Sequence, residues 1–233
     1  MTLAIIPARG DSKRIPRKNI RDFAGRPMIA WAIESALESG CFTQVIVSTD
    51  DEEIAAVAKC YGAEVPFRRP AELANDYTGT IPVIAHAIDW LLERGGAPEA
   101  LCCLYATAPF VQAEDLRAGY QALFSDDEVN YAFSVASDPF PIQRALRLTP
   151  EDRVAMFQPE HFTTRSQDLE EAWHDAGQFY WGRTKAWQNC APIFTEQSVP
   201  VKLPRHRVQD IDTPEDWQRA EWLFNAWRAQ KSK

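Results

Sequence analysis

Four times in the first 125 residues a short apolar run gives way to a longer segment with helical spacing. Leu3–Pro7 precedes 27–39, where Met28, Trp31, Ala32, Ser35 and Ala36 fall on one helical face and Gly40 stops the run. Val45–Thr49 precedes a helix over 51–61, with acids in its first turn and Gly62 behind it. Glu64–Phe67 reads as a third, shorter strand, and a polar loop links it to a helix over 81–93. Leu101–Tyr105 precedes a helix over 113–124. Repeated βα units imply a three-layer α/β fold: a mostly parallel sheet with helices on both faces. Ligands in such folds sit beyond the carboxyl ends of the strands, where strand order reverses. The loops after Pro7, Thr49 and Tyr105 are therefore the places to look.

The rest of the chain has another texture. Residues 131–204 mix short β-like runs (131–135, 178–181, 199–203) with prolines and aromatics, and read as a small β-rich insertion that continues the sheet and helps form the site. A last helix over 213–229 has Thr213 as N-cap, Pro214 at its first position and Asp216 completing a capping box. The whole, 1–233, reads as one domain, since 233 residues bury roughly 70–75 % of their unfolded surface without staples. Net charge is −8, which disfavours a role in coating nucleic acid. No apolar run approaches the ~18 residues of a membrane span. Five cysteines without a C-x-x-C suit neither a disulfide framework nor a zinc site, and point to a reducing cytoplasm.

Against that negative balance, six of the thirteen residues from 9 to 21 are Lys or Arg. A cationic loop after the first strand of an α/β sheet suits a polyphosphate: Arg grips phosphate oxygens in pairs, and Lys adds a point charge. Gly10 would let the backbone approach closely. A solvated basic loop is the alternative. Neither G-x-x-x-x-G-K-[ST] nor G-x-G-x-x-G follows the strand, which disfavours P-loop ATPases and ordinary NAD dehydrogenases.

The segment Ile6-Pro7-Ala8-Arg9-Gly10-Asp11-Ser12-Lys13, with Pro16-Arg17-Lys18-Asn19, resembles the signature of the acylneuraminate cytidylyltransferases, the CMP-sialic acid synthetases. Val47–Asp50, Arg69–Leu73 and Asp210–Thr213 follow as further blocks in the same order, so the likeness spans nearly the whole chain. Arg165–Leu169, His174–Gly182 and Leu104–Phe110 most resemble the pseudaminic acid branch. Tyr105 stands where the N-acetylneuraminate branch commonly has Gln near the sugar.

The resemblance implies a Rossmann-like nucleotidyltransferase that joins CTP to the anomeric hydroxyl of a nonulosonic acid, pseudaminic acid first, and releases pyrophosphate. The same reaction on N-acetylneuraminate, legionaminate or Kdo is the alternative, and a non-catalytic nucleotide-sugar-binding module is the alternative of another class. It implies nucleotide contacts from Arg9, Gly10, Ser12, Lys13, Lys18, Asn19, Arg69, Thr80 and Ala106, with Arg9, Lys13 and Asp212 catalytic. For the sugar the candidates are Tyr105, Arg165 for its carboxylate, and Gln178, Tyr180 and Phe194 for its substituents. Asp210 and Asp212, two apart in an extended segment, share a face and suit Mg²⁺, an ion that keeps several waters. Three residues also have bland readings: the two aspartates as helix caps, and Thr80 as the N-cap of the helix over 81–93. A homodimer is implied as well, with the middle region reaching toward the partner's site. Trp173, Trp181 and Trp187 suit either that interface or the subunit's own core, while Trp217, Trp222 and Trp227 read as packing for the last helix.

Overall fold

The computed structural model describes residues 1–75, 77–96 and 98–231. In chain order the elements begin with β1 (Thr2–Pro7), the two-residue strands β2 (Asp22–Phe23) and β3 (Arg26–Pro27), α1 (Met28–Ser39), β4 (Gln44–Ser48), α2 (Glu52–Cys60), α3 (Thr80–Leu92), β5 (Ala100–Leu104) and α4 (Ala113–Leu123). There follow β6 (Tyr131–Ser137), β7 (Leu146–Leu148), β8 (Val154–Met156), β9 (Trp173–Arg183), α5 (Thr184–Gln188), β10 (Ser198–Lys202) and α6 (Pro214–Lys231).

Six strands make the main sheet, in the order β10-β6-β9-β5-β1-β4. All pairings are parallel except those of β9, which runs antiparallel to both β5 and β6. The two-residue period of a strand divides the core in two. Ala4 and Ile6 face one layer with α1, α2 and α4; Leu3 and Ile5 face the other with α3 and α5. Close contact between α4 and the sheet depends on Gly119, because a Cβ there would stand 2.5 Å from Trp181 Cδ1. A third cluster joins Ile15 and Phe23 of the first loop to Phe110, Ile211 and the α6 residues Trp217 and Phe224.

The three-layer α/β architecture thus matches the alternation in the sequence, with one exception. The expected strand at 64–67 shrinks to two isolated bridges beside β4, Ile46 with Glu64 and Thr49 with Arg68. Pro66 has no N–H to give the ladder, so pairing fails between them. Within 131–204, β6, β9 and β10 belong to the main sheet, while 138–172 carries only the β7–β8 hairpin and short 3-10 turns. Trp181 and Trp187 are fully buried in the subunit's own core, whereas Trp173 is partly exposed. Trp217 and Trp227 pack against Phe23 and Phe224, but Trp222 lies on the solvent face of α6 and packs nothing against the core.

Candidate active site

Strand order reverses beside β1: β4 adds on one side of it and β5 on the other. At the carboxyl ends of these strands lies a cavity of about 510 Å³. The first loop contributes Arg9, Ser12, Lys13, Arg14, Lys18 and Asn19 to its wall. Arg69, Thr80, Tyr105, Ala106 and Asp212 complete it from other parts of the chain. Eight of the nine residues expected to meet the nucleotide are in that wall; Gly10 is behind it.

The basic loop is held from behind by acids. Gly10 N–H donates to Asp50 Oδ1 at 2.9 Å, and a Cβ on Gly10 would stand 2.8 Å from Asp51 Oδ2. The close approach that this glycine permits is therefore to Asp51. Asn19 spends its Nδ2 on the carbonyl of Arg9 at 2.9 Å, and its own carbonyl accepts the N–H of Ile29 at 2.8 Å. Arg17, in the left-handed region at φ 57°, forks onto both carboxylate oxygens of Asp51. Asp51 also caps α2 through Ile54 N–H at 2.9 Å.

The Arg17 hydrogen bonds hold the Asp51 carboxyl at about 2, against an ordinary 3.8. A depressed acid contributes stability above its unfolded pKa and loses it as pH falls through the folded one. Between pH 4 and pH 2 the wild type is expected to lose about 2–4 °C more in Tm than Asp51→Asn, which keeps the cap but not the charge. Thermal melts at both pH values check this; equal slopes for the two proteins would remove the pair as a source of acid lability.

Arg69 is part of the cavity wall with only 5 % of its surface exposed. Its Nε donates to Ser48 Oγ at 3.1 Å and its Nη2 to the Ser48 carbonyl. Burial lowers its pKa to about 10, opposed by the charge of Asp50, so it remains a cation at neutral pH. Thr80 is the first residue of α3 and makes no capping bond; Gly79 occupies the cap. The Thr80 hydroxyl instead meets Tyr105 Oη at 2.8 Å. Burial pushes the Tyr105 phenol up to about 12. Its ring lies 5.5 Å from that of Tyr180, whose hydroxyl donates to Asp175.

Asp212 enters the cavity beside two cations, with Arg14 Nη2 at 2.9 Å and Lys18 Nζ at 3.3 Å. Lys18 also donates to the Ile211 carbonyl at 2.7 Å. Capping of α6 is done elsewhere. Asp216 accepts from Thr213 N–H at 2.8 Å while Thr213 Oγ1 accepts from Asp216 N–H at 3.2 Å. Neither Asp210 nor Asp212 is needed as a cap. Partial burial, with Asp212 near it, raises the Asp210 carboxyl above its ordinary range. Among the described residues no group of three or more acids, histidines or cysteines is poised to hold a metal. Asp212 lines this basic cavity and Asp210, two residues before it, is exposed outside the lining. One cavity carboxylate with a second close by still fits an ion that takes most of its ligands from water and substrate.

The residues expected to meet the sugar are dispersed. Tyr105 lines the cavity, and Tyr180 lies behind it, 4 % exposed. Gln178 is buried and gives its Nε2 to the Arg207 carbonyl at 2.6 Å, leaving its Oε1 without a partner. Arg165 lies in the 138–172 region, exposed and paired with Asp168 at 2.7 Å. Phe194 is exposed beside Phe133. Residues that carry the site but escaped the sequence reading include Asp50, Asp51 and Arg14. The acids follow β4, within or next to a block already noted, but only the folded loop shows that they brace Gly10 and Arg17.

A family model described as Cytidylyltransferase matches residues 3–221. A pseudaminic acid cytidylyltransferase of Campylobacter jejuni subsp. jejuni serotype O:2 is 46 % identical over 222 residues, 95 % of each chain. A CMP-N,N'-diacetyllegionaminic acid synthase of Legionella pneumophila is 32 % identical over 229 residues, again 95 % of each chain. The solved CMP:2-keto-3-deoxy-manno-octonic acid synthetase complexed with CTP overlays with a TM-score of 0.70 at 18 % identity, covering 99 % of both chains, which shows a shared fold. Sequence likeness from end to end, on a fold with a basic cavity at its switch point, leaves one conclusion: the chain belongs to the cytidylyltransferase family.

Proposed function

We propose that this chain transfers CMP from CTP to the anomeric hydroxyl of a nonulosonic acid, with pseudaminic acid preferred, and releases pyrophosphate. The observation that carries it is the cavity at the β1–β5 switch, where Arg9, Lys13, Lys18 and Arg69 converge with Asp212. The 46 % identity to the Campylobacter enzyme supports the choice of acceptor, as does Tyr105 in the cavity wall. In the reaction the sugar oxygen bonds to the α-phosphorus, the bond from that phosphorus to the bridging oxygen breaks, and pyrophosphate departs with the electron pair. Arg9, Ser12, Lys13 and Lys18 hold the triphosphate and offset the charge that gathers on the leaving group, and catalysis of this kind is mostly positioning and electrostatics. Arg69 and Thr80, with the backbone at Ala106, bound the nucleoside end. The hydroxyl proton leaves toward Asp212 through water. Asp210 and Asp212 would hold Mg²⁺, which when bound neutralises phosphate charge.

The reading extends to a cytoplasmic homodimer. Its support is the 138–172 region, which exposes Phe140, Leu146, Leu148, Val154, Phe157 and Phe162. A monomer rarely leaves so much apolar surface in one region. Arg165 stands in that region and would meet the sugar in the partner's site. Sedimentation at micromolar protein is expected to give twice the 26.4 kDa chain mass; a single-chain mass would sink the dimer. The cytoplasm is supported by five cysteines that are all free thiols.

Pyrophosphate release with CTP and Mg²⁺ tests the reaction against pseudaminic acid, N-acetylneuraminate, legionaminate and Kdo. At least tenfold faster turnover of pseudaminic acid is expected, about 1.4 kcal/mol of differential transition-state binding. A different preferred acceptor would overturn the branch and keep the chemistry. CTP binding without turnover of any acceptor would favour a binding module instead.

A further inference from the structure

Three residues before Asp210, Arg207 closes a short 3-10 turn (Arg205–Arg207) and turns its guanidinium inward, 13 % exposed. Nη1 and Nη2 donate to Asp115 Oδ2 and Oδ1 at 2.5 and 2.9 Å, and Nη1 also to the Phe110 carbonyl at 3.3 Å. Asp115 in turn accepts the N–H of Gln112 at 3.0 Å, at the start of α4. The carbonyl of Arg207 accepts Gln178 Nε2 at 2.6 Å. Gln178 is itself fixed: its carbonyl accepts Tyr105 N–H at 2.9 Å, and its N–H donates to the buried Ser134 hydroxyl at 3.3 Å, beside the irregularity in the β6–β9 pairing. One residue thus ties α4 and β9 to the segment that leads to Asp212.

That segment has no other regular support, since 208–212 lie in neither helix nor strand. Its other anchors include Ile211, 1 % exposed in the third cluster, the Lys18 bond to the Ile211 carbonyl, the pairing of Asp212 with Arg14 and Lys18, and Asp216, which accepts Asp212 N–H at 3.2 Å and caps α6 with Thr213. Burying an ion pair is a poor route to stability, because desolvation offsets the attraction and an apolar pair often serves as well. What an Arg–carboxylate fork supplies that an apolar pair lacks is direction.

We propose that Asp115, Arg207 and Gln178 form a clamp of positioning residues that sets the Asp210-Ile211-Asp212 segment against the cavity and registers it to β9. The role in turnover rests on the function proposed above; the geometric role does not. The test pairs Asp115→Asn with Arg207→Met in one variant, which keeps an acceptor for Gln112 N–H and leaves no buried charge unpaired. Arg207→Lys, which keeps the charge but loses the fork, serves as the conservative variant. Four quantities are read: Tm, kcat, KM for CTP, and hydrogen exchange of the 208–212 amides without substrate. The double variant is expected to keep its Tm within about 3 °C, to exchange those amides at least tenfold faster, and to lose roughly 10–100-fold in kcat with KM within about threefold. Arg207→Lys is expected to recover part of both. Wild-type exchange and kcat in the double variant would overturn the clamp, as would a loss of kcat that only follows a loss of Tm. A wild-type protein that turns over no acceptor would overturn the functional reading, and exchange alone would then decide the clamp.

Discussion

Lys13→Ala and Arg9→Ala are each expected to lower kcat by about 10²–10³-fold, with a smaller change in KM for CTP. That is the range seen when one preorganised donor to developing charge is removed, roughly 2.7–4 kcal/mol. Both residues bound the cavity on the first-loop side, where the leaving phosphates of CTP would lie. Charge increases on the leaving pyrophosphate as the reaction proceeds, so cations placed there act more on the transition state than on bound substrate. Initial rates of pyrophosphate release with saturating CTP check it, because saturation removes a pure binding defect. Wild-type kcat in both variants would place the two side chains outside the chemistry. The loop itself should survive either change, since its backbone is braced by Asp50, Asp51 and Asn19 through bonds that involve neither side chain.

Asp212→Asn is expected to cut kcat by about 10²–10³-fold at limiting Mg²⁺ while Tm moves by no more than about 2 °C. The substitution keeps the shape and removes one charge facing Arg14 and Lys18. Both cations are partly exposed, so water can solvate them when the carboxylate goes, and such pairs contribute little stability. Asp216→Ala is the matched control. It deletes the carboxylate that caps α6 and accepts Asp212 N–H at 3.2 Å, and should cost about 1 kcal/mol of stability with a much smaller loss of kcat than Asp212→Asn. Two aspartates four residues apart would then separate activity from folding. Full activity of Asp212→Asn at limiting Mg²⁺ would end the metal assignment, and an unchanged pH–rate profile would end its part in proton transfer.

Much of this protein was legible before folding. The alternation of short apolar runs with helical segments suffices for a three-layer α/β fold, because a parallel ladder requires a crossover after each strand. The carboxyl-end rule then picks out the loops after Pro7 and Tyr105, whose residues bound the cavity, and the loop after Thr49, whose acids instead brace the first loop from behind. Thr213 and Asp216 read correctly as a cap because capping is a contact between residues three apart. The strand at 64–67 misled because its apolar run says nothing of whether Pro66 must give a hydrogen bond there.

What the chain alone determined is local or periodic: the order of elements, the basic loop, and the two aspartates before α6. Only the tertiary structure decided what depends on contacts distant in sequence. Asp51 became the brace of Arg17, 34 residues away. Thr80 proved to be a partner of Tyr105 and not a cap. Trp181 and Trp187 went to the core, and Gln178 turned toward Arg207. The physical reason is reach: hydrogen bonds and core contacts extend only a few ångströms, so side-chain partners are chosen after the sheet has brought remote segments together.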